Sequence, residues 1–278
     1  MPVSICSAFP VMTHSIERAF VPISTGRVHV AACGAGQAIL LLHQTPRSWD
    51  EYRDVLPLLG KHYRAIAMDT AGFGDSDPLP DGQDSIEAWA AAAHEVLTTL
   101  GCSSAVIAGH HTGAAIAVEM AASRPDRVEA LILSACPYVD AARRARIPSG
   151  KAIDHAMTQP DGAHLLELWA IRQAFYPAGR TDLLERFMID ALKAGPRAAG
   201  GHRVVGRYVM ETRLPLVRCP TLVIAPTADP HAHPHAPSVA AAIAGSRLVE
   251  IKDGTVPLPD HMPQAFAAAI DQFLSSLR

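Results

Sequence analysis

The sequence has no apolar run longer than a strand, whereas a membrane-spanning helix needs about 20 apolar residues, so no bilayer span is expected. No Lys/Arg cluster leading into an apolar stretch opens it, so no secretory signal is expected either. Cysteine is sparse and unpaired: Cys6, Cys33, Cys102, Cys136 and Cys219 are odd in number and form no Cys-x-x-Cys pair. That pattern speaks against a disulfide framework and suits reduced thiols in a cytoplasmic protein. Neither sign of charge dominates. Lys and Arg number 24 against 27 Asp and Glu, a formal net charge of −3 with no basic stripe, which excludes nucleic acid as an expected partner. Repeats and low-complexity tracts are absent. Gly34-Ala35-Gly36 is a turn without the phosphate-binding glycine pattern, so no nucleotide or other cofactor is implied.

What is present is a globular composition, 49% hydrophobic and 18% charged over 278 residues, enough for one large α/β domain with an insertion. Residues 1 to 15 show no period and are expected as an arm lying on the domain. Alternation at 27–32 and a continuous apolar run at 38–43, suited to burial on both faces of a parallel sheet, predict strands, and further strands are expected at 63–68, 104–108 and 128–134. Helical spacing lies between them at 48–59, 85–100 and 112–123. This alternation predicts an α/β fold, a doubly wound, mostly parallel sheet. It breaks after Asp140 and resumes at 220–225 and 247–251, with a closing amphipathic helix at 264–277. Residues 1–140 and 214–278 are therefore expected as the core domain, and 141–213 as a helical cap over the strand ends, where open α/β sheets bind ligands.

Four segments carry chemistry. Leu42-His43-Gln44-Thr45-Pro46 follows the second predicted strand, with Trp49 and Pro57 downstream, and Asp69 to Asp77 follows the third. Gly109-His110-His111-Thr112-Gly113 joins a strand to a helix, and Cys219-Pro220-Thr221-Leu222-Val223-Ile224 leads to Asp229-Pro230. In this order and at these intervals the chain resembles the capped, single-domain members of the α/β-hydrolase superfamily. The resemblance spans most of the sequence. It implies that the first segment is the turn whose backbone N–H helps to form an oxyanion hole. It also implies that the third is the nucleophile elbow, and that the fourth delivers the acid of a catalytic triad, Asp229.

Two positions depart from that pattern. The elbow places a side chain on a sharp strand-to-helix turn, flanked by glycines and over a helix N-terminus that favours developing negative charge. The family puts Ser there, or Asp or Cys in some branches; this chain puts His111. His110 takes the preceding place, where histidine is ordinary, and is expected as structural support. Near the C-terminus the family's general-base histidine falls on Thr255 or Val256, while His261 comes several residues too late. Asp140 is a less favoured alternative to Asp229 as the acid.

The residues leave three readings open. In the first, His111 replaces the missing base and Asp229 orients it, with the backbone N–H groups of Thr45 and Thr112 as oxyanion hole. A small organic ester, lactone or activated C–C bond would then be hydrolysed by an atypical triad, or a cofactor-independent lyase, decarboxylase or oxygenase reaction would run on the same base. In the second, the chain is an inactive small-molecule binding protein. In the third, His231, His233 and His235 converge with His110 and His111 on a metal. Against it, the prolines of that segment disfavour regular strand geometry, and the favoured site holds no metal. Arg143, Arg144 and Arg146 are expected as a solvated helical face. Trp169, Phe175 and Tyr176 are expected to pack the cap, and Trp49 suits either a core or a pocket wall. Substrate identity and oligomeric state are not encoded in any motif.

Overall fold

A computed structural model describes residues 15–146 and 154–278 of the chain. The N-terminal arm expected at residues 1–15 falls almost wholly outside the described residues, as does the stretch 147–153 of the insertion.

Eight strands form one sheet in the order β1-β2-β4-β3-β5-β6-β7-β8. They are β1 (Glu17–Ile23), β2 (Gly26–Cys33), β3 (Ala38–Leu42), β4 (Arg64–Met68), β5 (Ala105–His110), β6 (Val128–Ser134), β7 (Thr221–Pro226) and β8 (Arg247–Ile251). The pairs β1–β2 and β2–β4 are antiparallel, and every later pair is parallel. Successive residues of β3 point to opposite faces, and both faces are covered. Leu40 and Leu42 pack in a layer with α2 (Ile86–Thr99) and α3 (Thr112–Ser123), whereas Ile39 and Leu41 pack with α1 (Leu56–Leu59) and the C-terminal helix. All five side chains of β3 are buried, which is why this stretch shows no alternation in the sequence.

Among the described residues, four helices lie in the connection from β6 to β7: α4 (Ala141–Ala145), α5 (Ala163–Gln173), α6 (Thr181–Ala194) and α7 (Pro196–Arg207). The insertion has a small apolar cluster of its own, Leu168, Tyr176, Leu183, Leu184, Phe187 and Ala191. α7 instead joins the main core through Ala198, Val204 and Val205 and packs on α3. The chain closes with α8 (Ala236–Ala241), α9 (Leu258–His261) and α10 (Pro263–Ser275). Among the described residues no helix is long and apolar enough to cross a membrane.

Two elements differ from the sequence expectation. The helix expected over 48–59 is a 3₁₀ turn at Trp49–Tyr52 followed by the single turn of α1, which begins beside Pro57. Proline lacks the N–H and crowds the preceding turn, so one continuous helix cannot form across it. β1 was not foreseen. It is an edge strand, mostly half-exposed and carrying Pro22, so it lacks the buried apolar run that marked the central strands.

Chain order fixes where a ligand would bind. From β3 the chain moves outward to β4, then returns to β5 on the other side of β3. The carboxyl ends of β3 and β5 therefore flank a crevice at the point where strand order reverses, the usual binding position in open α/β sheets. Leu42 of β3 lies in register with Gly109 of β5, so the turn after one and the elbow after the other emerge side by side.

Candidate active site

His111 stands between β5 and α3 with φ 47° and ψ −111°, a conformation that L-residues avoid and that the surrounding packing must impose. The flanking glycines supply room rather than unusual dihedrals. A Cβ on Gly109 would overlap the Gly113 carbonyl, and one on Gly113 would overlap the carbonyl of Leu42. The positive φ falls on the histidine itself. Its amide donates to the Ser134 carbonyl at 3.0 Å, which ties the elbow to β6.

The structure brings His111 and Asp229 together. Nε2 of His111 lies 2.8 Å from Oδ2 of Asp229, the carboxylate fully buried and the imidazole 17% exposed. The approach is off the ring N–H direction, so this is a close polar contact rather than an aligned hydrogen bond. Asp229 follows β7, and its Oδ1 accepts from the backbone N–H groups of His231 at 2.8 Å and Ala232 at 3.1 Å. Burial pushes this carboxyl up, but the facing His111 and the two amides outweigh it and hold it well below the usual range. An ionised carboxylate thus meets Nε2, which leaves Nδ1 as the ring nitrogen free for a ligand.

Thr45 and Thr112 are placed by the same crevice. Thr112 is the first residue of α3, where an amide has no intrahelical acceptor. Thr45 lies in the turn after β3, before a cis peptide to Pro46. His43, which opens that turn, has no free nitrogen: Nδ1 donates to the Gln44 carbonyl and Nε2 accepts from the Thr70 amide. Gln44 is held through its amide, at 2.9 Å, and its side chain, at 2.6 Å, by the buried Glu51 carboxyl.

The other sequence candidates have different partners. His110 is fully buried, with Nε2 2.8 Å from the Val256 carbonyl and Nδ1 2.9 Å from the Ser134 hydroxyl. The carbonyl only accepts, so Nε2 carries the proton. Burial, helped by the charge of His111, depresses the pKa of His110 to about 3 and keeps the ring neutral. Val256, at the expected base position, is buried and offers this carbonyl where the family places an imidazole. Thr255 pairs with His261 at 3.0 Å, on the last residue of α9. Asp140 caps α4 by accepting from the Arg143 amide at 2.7 Å. His233 faces Glu250 and His231 stacks near Phe175, so these histidines do not converge. Among the described residues the one cluster with metal-ligand spacing is His29, Asp69 and Asp75. Arg18 and Lys193 already pair with Asp75 there, which disfavours a cation.

Sequence reasoning missed two buried charge clusters beside this crevice. Arg47, directly after the Thr45-Pro46 turn, is fully buried and pairs with Asp190 of α6 at 2.8 Å, with Asp260 of α9, and with Asp50 at 3.3 Å. Arg186 of α6 joins the same web through Asp50 at 2.6 Å and Asp260 at 2.9 Å. In the insertion, buried Asp154 is gripped by Arg172 and lies 2.5 Å from Nε2 of His202. The partners are remote in the chain, Arg47 and Asp190 by 143 residues and His202 and Asp154 by 48, so no local signal could reveal them.

Comparison with known proteins agrees with this architecture. The model of the alpha/beta hydrolase family matches residues 34–269. A soluble epoxide hydrolase from Corynebacterium sp. (strain C12) is 34% identical over 131 residues, 46% of this chain and 46% of that protein. Epoxide hydrolase 2 of Siraitia grosvenorii is 36% identical over 147 residues, 50% of this chain and 43% of its own length. The match thus spans less than half the length of these curated relatives. Among solved structures, an esterase, RhEst1, from Rhodococcus sp. ECU1013 is similar with TM-score 0.80 at 23% identity, covering 95% of this chain and 100% of its own. An enol-lactonase from Burkholderia xenovorans LB400 is similar with TM-score 0.78 at 20% identity, covering 92% and 100%. At such identities these two likenesses speak to fold alone.

Proposed function

Because the chain belongs to the alpha/beta hydrolase family, we propose that it hydrolyses a small organic substrate by general-base catalysis from a His111–Asp229 dyad, with no covalent intermediate. The observation that carries this reading is the 2.8 Å contact between His111 Nε2 and a buried, ionised Asp229. An imidazole so anchored has its other nitrogen, Nδ1, available to accept a proton. Its partner carboxylate stabilises the imidazolium that results, the work an aspartate does in a triad. A nucleophilic role for His111 would need a second base behind it, and the expected position carries Val256.

Water held by Nδ1 loses its proton to His111 as its oxygen attacks the electrophilic carbon of an ester, a lactone or an activated C–C bond. The amides of Thr45 and Thr112, projecting from adjacent strand ends, receive the developing oxyanion. The insertion of residues 141–213 acts as the cap that closes the crevice and excludes bulk solvent.

The test is hydrolysis of a panel of aryl acetates, alkyl acetates and lactones by the native chain, His111→Ala and Asp229→Asn. Loss of a general base costs about 10²–10⁴-fold, so His111→Ala is expected to fall by that factor while the chain still folds, at a melting temperature lowered by the loss of the partner of buried Asp229. Turnover by His111→Ala within tenfold (about 1.4 kcal/mol in barrier) of the native chain would overturn the proposal.

A further inference from the structure

We propose that His202, presented from the cap, is a second acid–base group of the same site and protonates the leaving group; this rests on the hydrolytic reading above. Three observations place it. α7 meets the oxyanion turn so closely that a Cβ on Gly201 would overlap the Thr45 side chain, and His202 is the next residue. α7 also packs on α3, the helix whose first turn adjoins His111. The salt-bridge partner of Asp154, Arg172, exerts its charge on His231, which feels His111 and Asp229 as well. On this placement the two histidine–aspartate pairs border one space, one rising from the strand ends and the other descending from the insertion.

The His202 pair has the build of an acid rather than of a simple staple. Asp154 is buried, and although burial pushes its carboxyl up, Arg172 and His202 more than reverse this and hold it below the usual range. Facing an ionised carboxylate at 2.5 Å, Nε2 of His202 must be the donor. Nδ1 is then the nitrogen left to face a ligand, and the side chain is 31% exposed rather than sealed. A residue needed only to satisfy Asp154 has no reason to keep that edge open, since Arg172 already contacts both carboxylate oxygens.

For an ester the step balances as follows. Water gives one proton to Nδ1 of His111 and its oxygen bonds to the acyl carbon, leaving a tetrahedral oxyanion at the Thr45 and Thr112 amides. As the oxyanion collapses, the carbon–oxygen bond to the leaving group breaks and that oxygen takes the proton from Nδ1 of protonated His202. His111 then releases its proton to solvent and His202 regains one, so the net reaction is addition of one water to give acid and alcohol.

The test compares two esters that differ in their need for an acid. Ethoxide must be protonated as it leaves, whereas p-nitrophenolate leaves as the anion. In His202→Gln the ratio of p-nitrophenyl acetate to ethyl acetate turnover is expected to rise by about 10²-fold, the usual weight of a general acid. A purely structural His202 would lower both esters in proportion, and an unchanged ratio overturns the proposal. A second measurement needs no turnover. Alkylation of His111 with phenacyl bromide is expected to slow carbethoxylation of His202 by diethyl pyrocarbonate severalfold, while exposed His62 reacts at its former rate and His111→Gln shows no such shielding. If the native chain hydrolyses nothing in the ester and lactone panel, the hydrolytic reading fails, and the shielding alone decides whether His202 faces the site; equal His202 rates before and after alkylation would refute that placement.

Discussion

Ser134 serves both histidines of the elbow, its hydroxyl toward His110 and its carbonyl toward the amide of His111. This has a consequence for acid stability. A histidine whose pKa is depressed in the fold leaves the unfolded chain with more bound protons at mildly acid pH, so stability rises with pH across that window. For His110 the window runs from the ordinary value of 6.5 down to about 3. Stability from its neutrality is complete above the window and lost as pH falls through it, at up to about 1.4 kcal/mol per unit. Asp229 acts in the same direction but lower: its contribution is present above the ordinary carboxyl value of 3.8 and lost as pH falls toward its depressed native value. Urea midpoints measured from pH 7 to pH 4 are thus expected to decline steadily, with a shallower slope in His110→Asn. A midpoint unchanged over that range would contradict the buried neutral ring.

At the scale of elements, α6 stands out because the stripe it turns to the core carries charge. Beside the apolar Leu183, Leu184, Phe187 and Ala191 that it buries, Arg186 and Asp190 pair with Asp50, Asp260 and Arg47, while Lys193 meets Asp75 at the surface. Truncating one member of a buried ion pair strands its partner and costs about 3–5 kcal/mol. Arg47→Met is accordingly expected to lower the denaturation midpoint sharply, and Arg47→Met combined with Asp190→Leu to recover part of the loss. A double variant no better than the single one would show that Asp190 is not the principal partner. Legibility in the sequence divides along this line. Strands such as Val128–Ser134 and the helix Thr112–Ser123 could be read to the residue because burial on both faces, or a glycine-bounded turn, leaves a local imprint. The meeting of His111 and Asp229 was legible too, through fixed positions in an ordered set of motifs. The Arg47 web and the His202–Asp154 pair were not, since a buried charge looks like any surface charge until its distant partner is in view.

For the whole molecule, the division of apolar clusters sets where opening starts. The sheet and its flanking helices share two large cores, while α5 and α6 close over a small one and lean on the sheet mainly through ion pairs. Segments with few apolar contacts open below the global unfolding free energy. Hydrogen exchange is therefore expected to be fastest in 163–194, slower in α7, which joins the main core, and slowest in β3 and β5. Equal protection of α6 and β5 would mean that the insertion and the sheet unfold as one unit. The sheet edges expose apolar side chains, Phe20 on β1 and Leu248 and Val249 on β8, tempered by Pro22 in β1 and by the exposed charges of Arg247 and Glu250 in β8.

The proton on His110 has a single home, because a carbonyl waits at one nitrogen and a hydroxyl at the other. Its imidazole therefore works as a gauge with two leads, one in β6 and one in the loop that carries Val256. Ring nitrogen shifts respond strongly to which nitrogen is protonated. One resolved pair of signals, read from histidine-labelled protein, would then report in real time whether the elbow, the neighbouring strand and the C-terminal loop hold together as ligand, acid or denaturant is added.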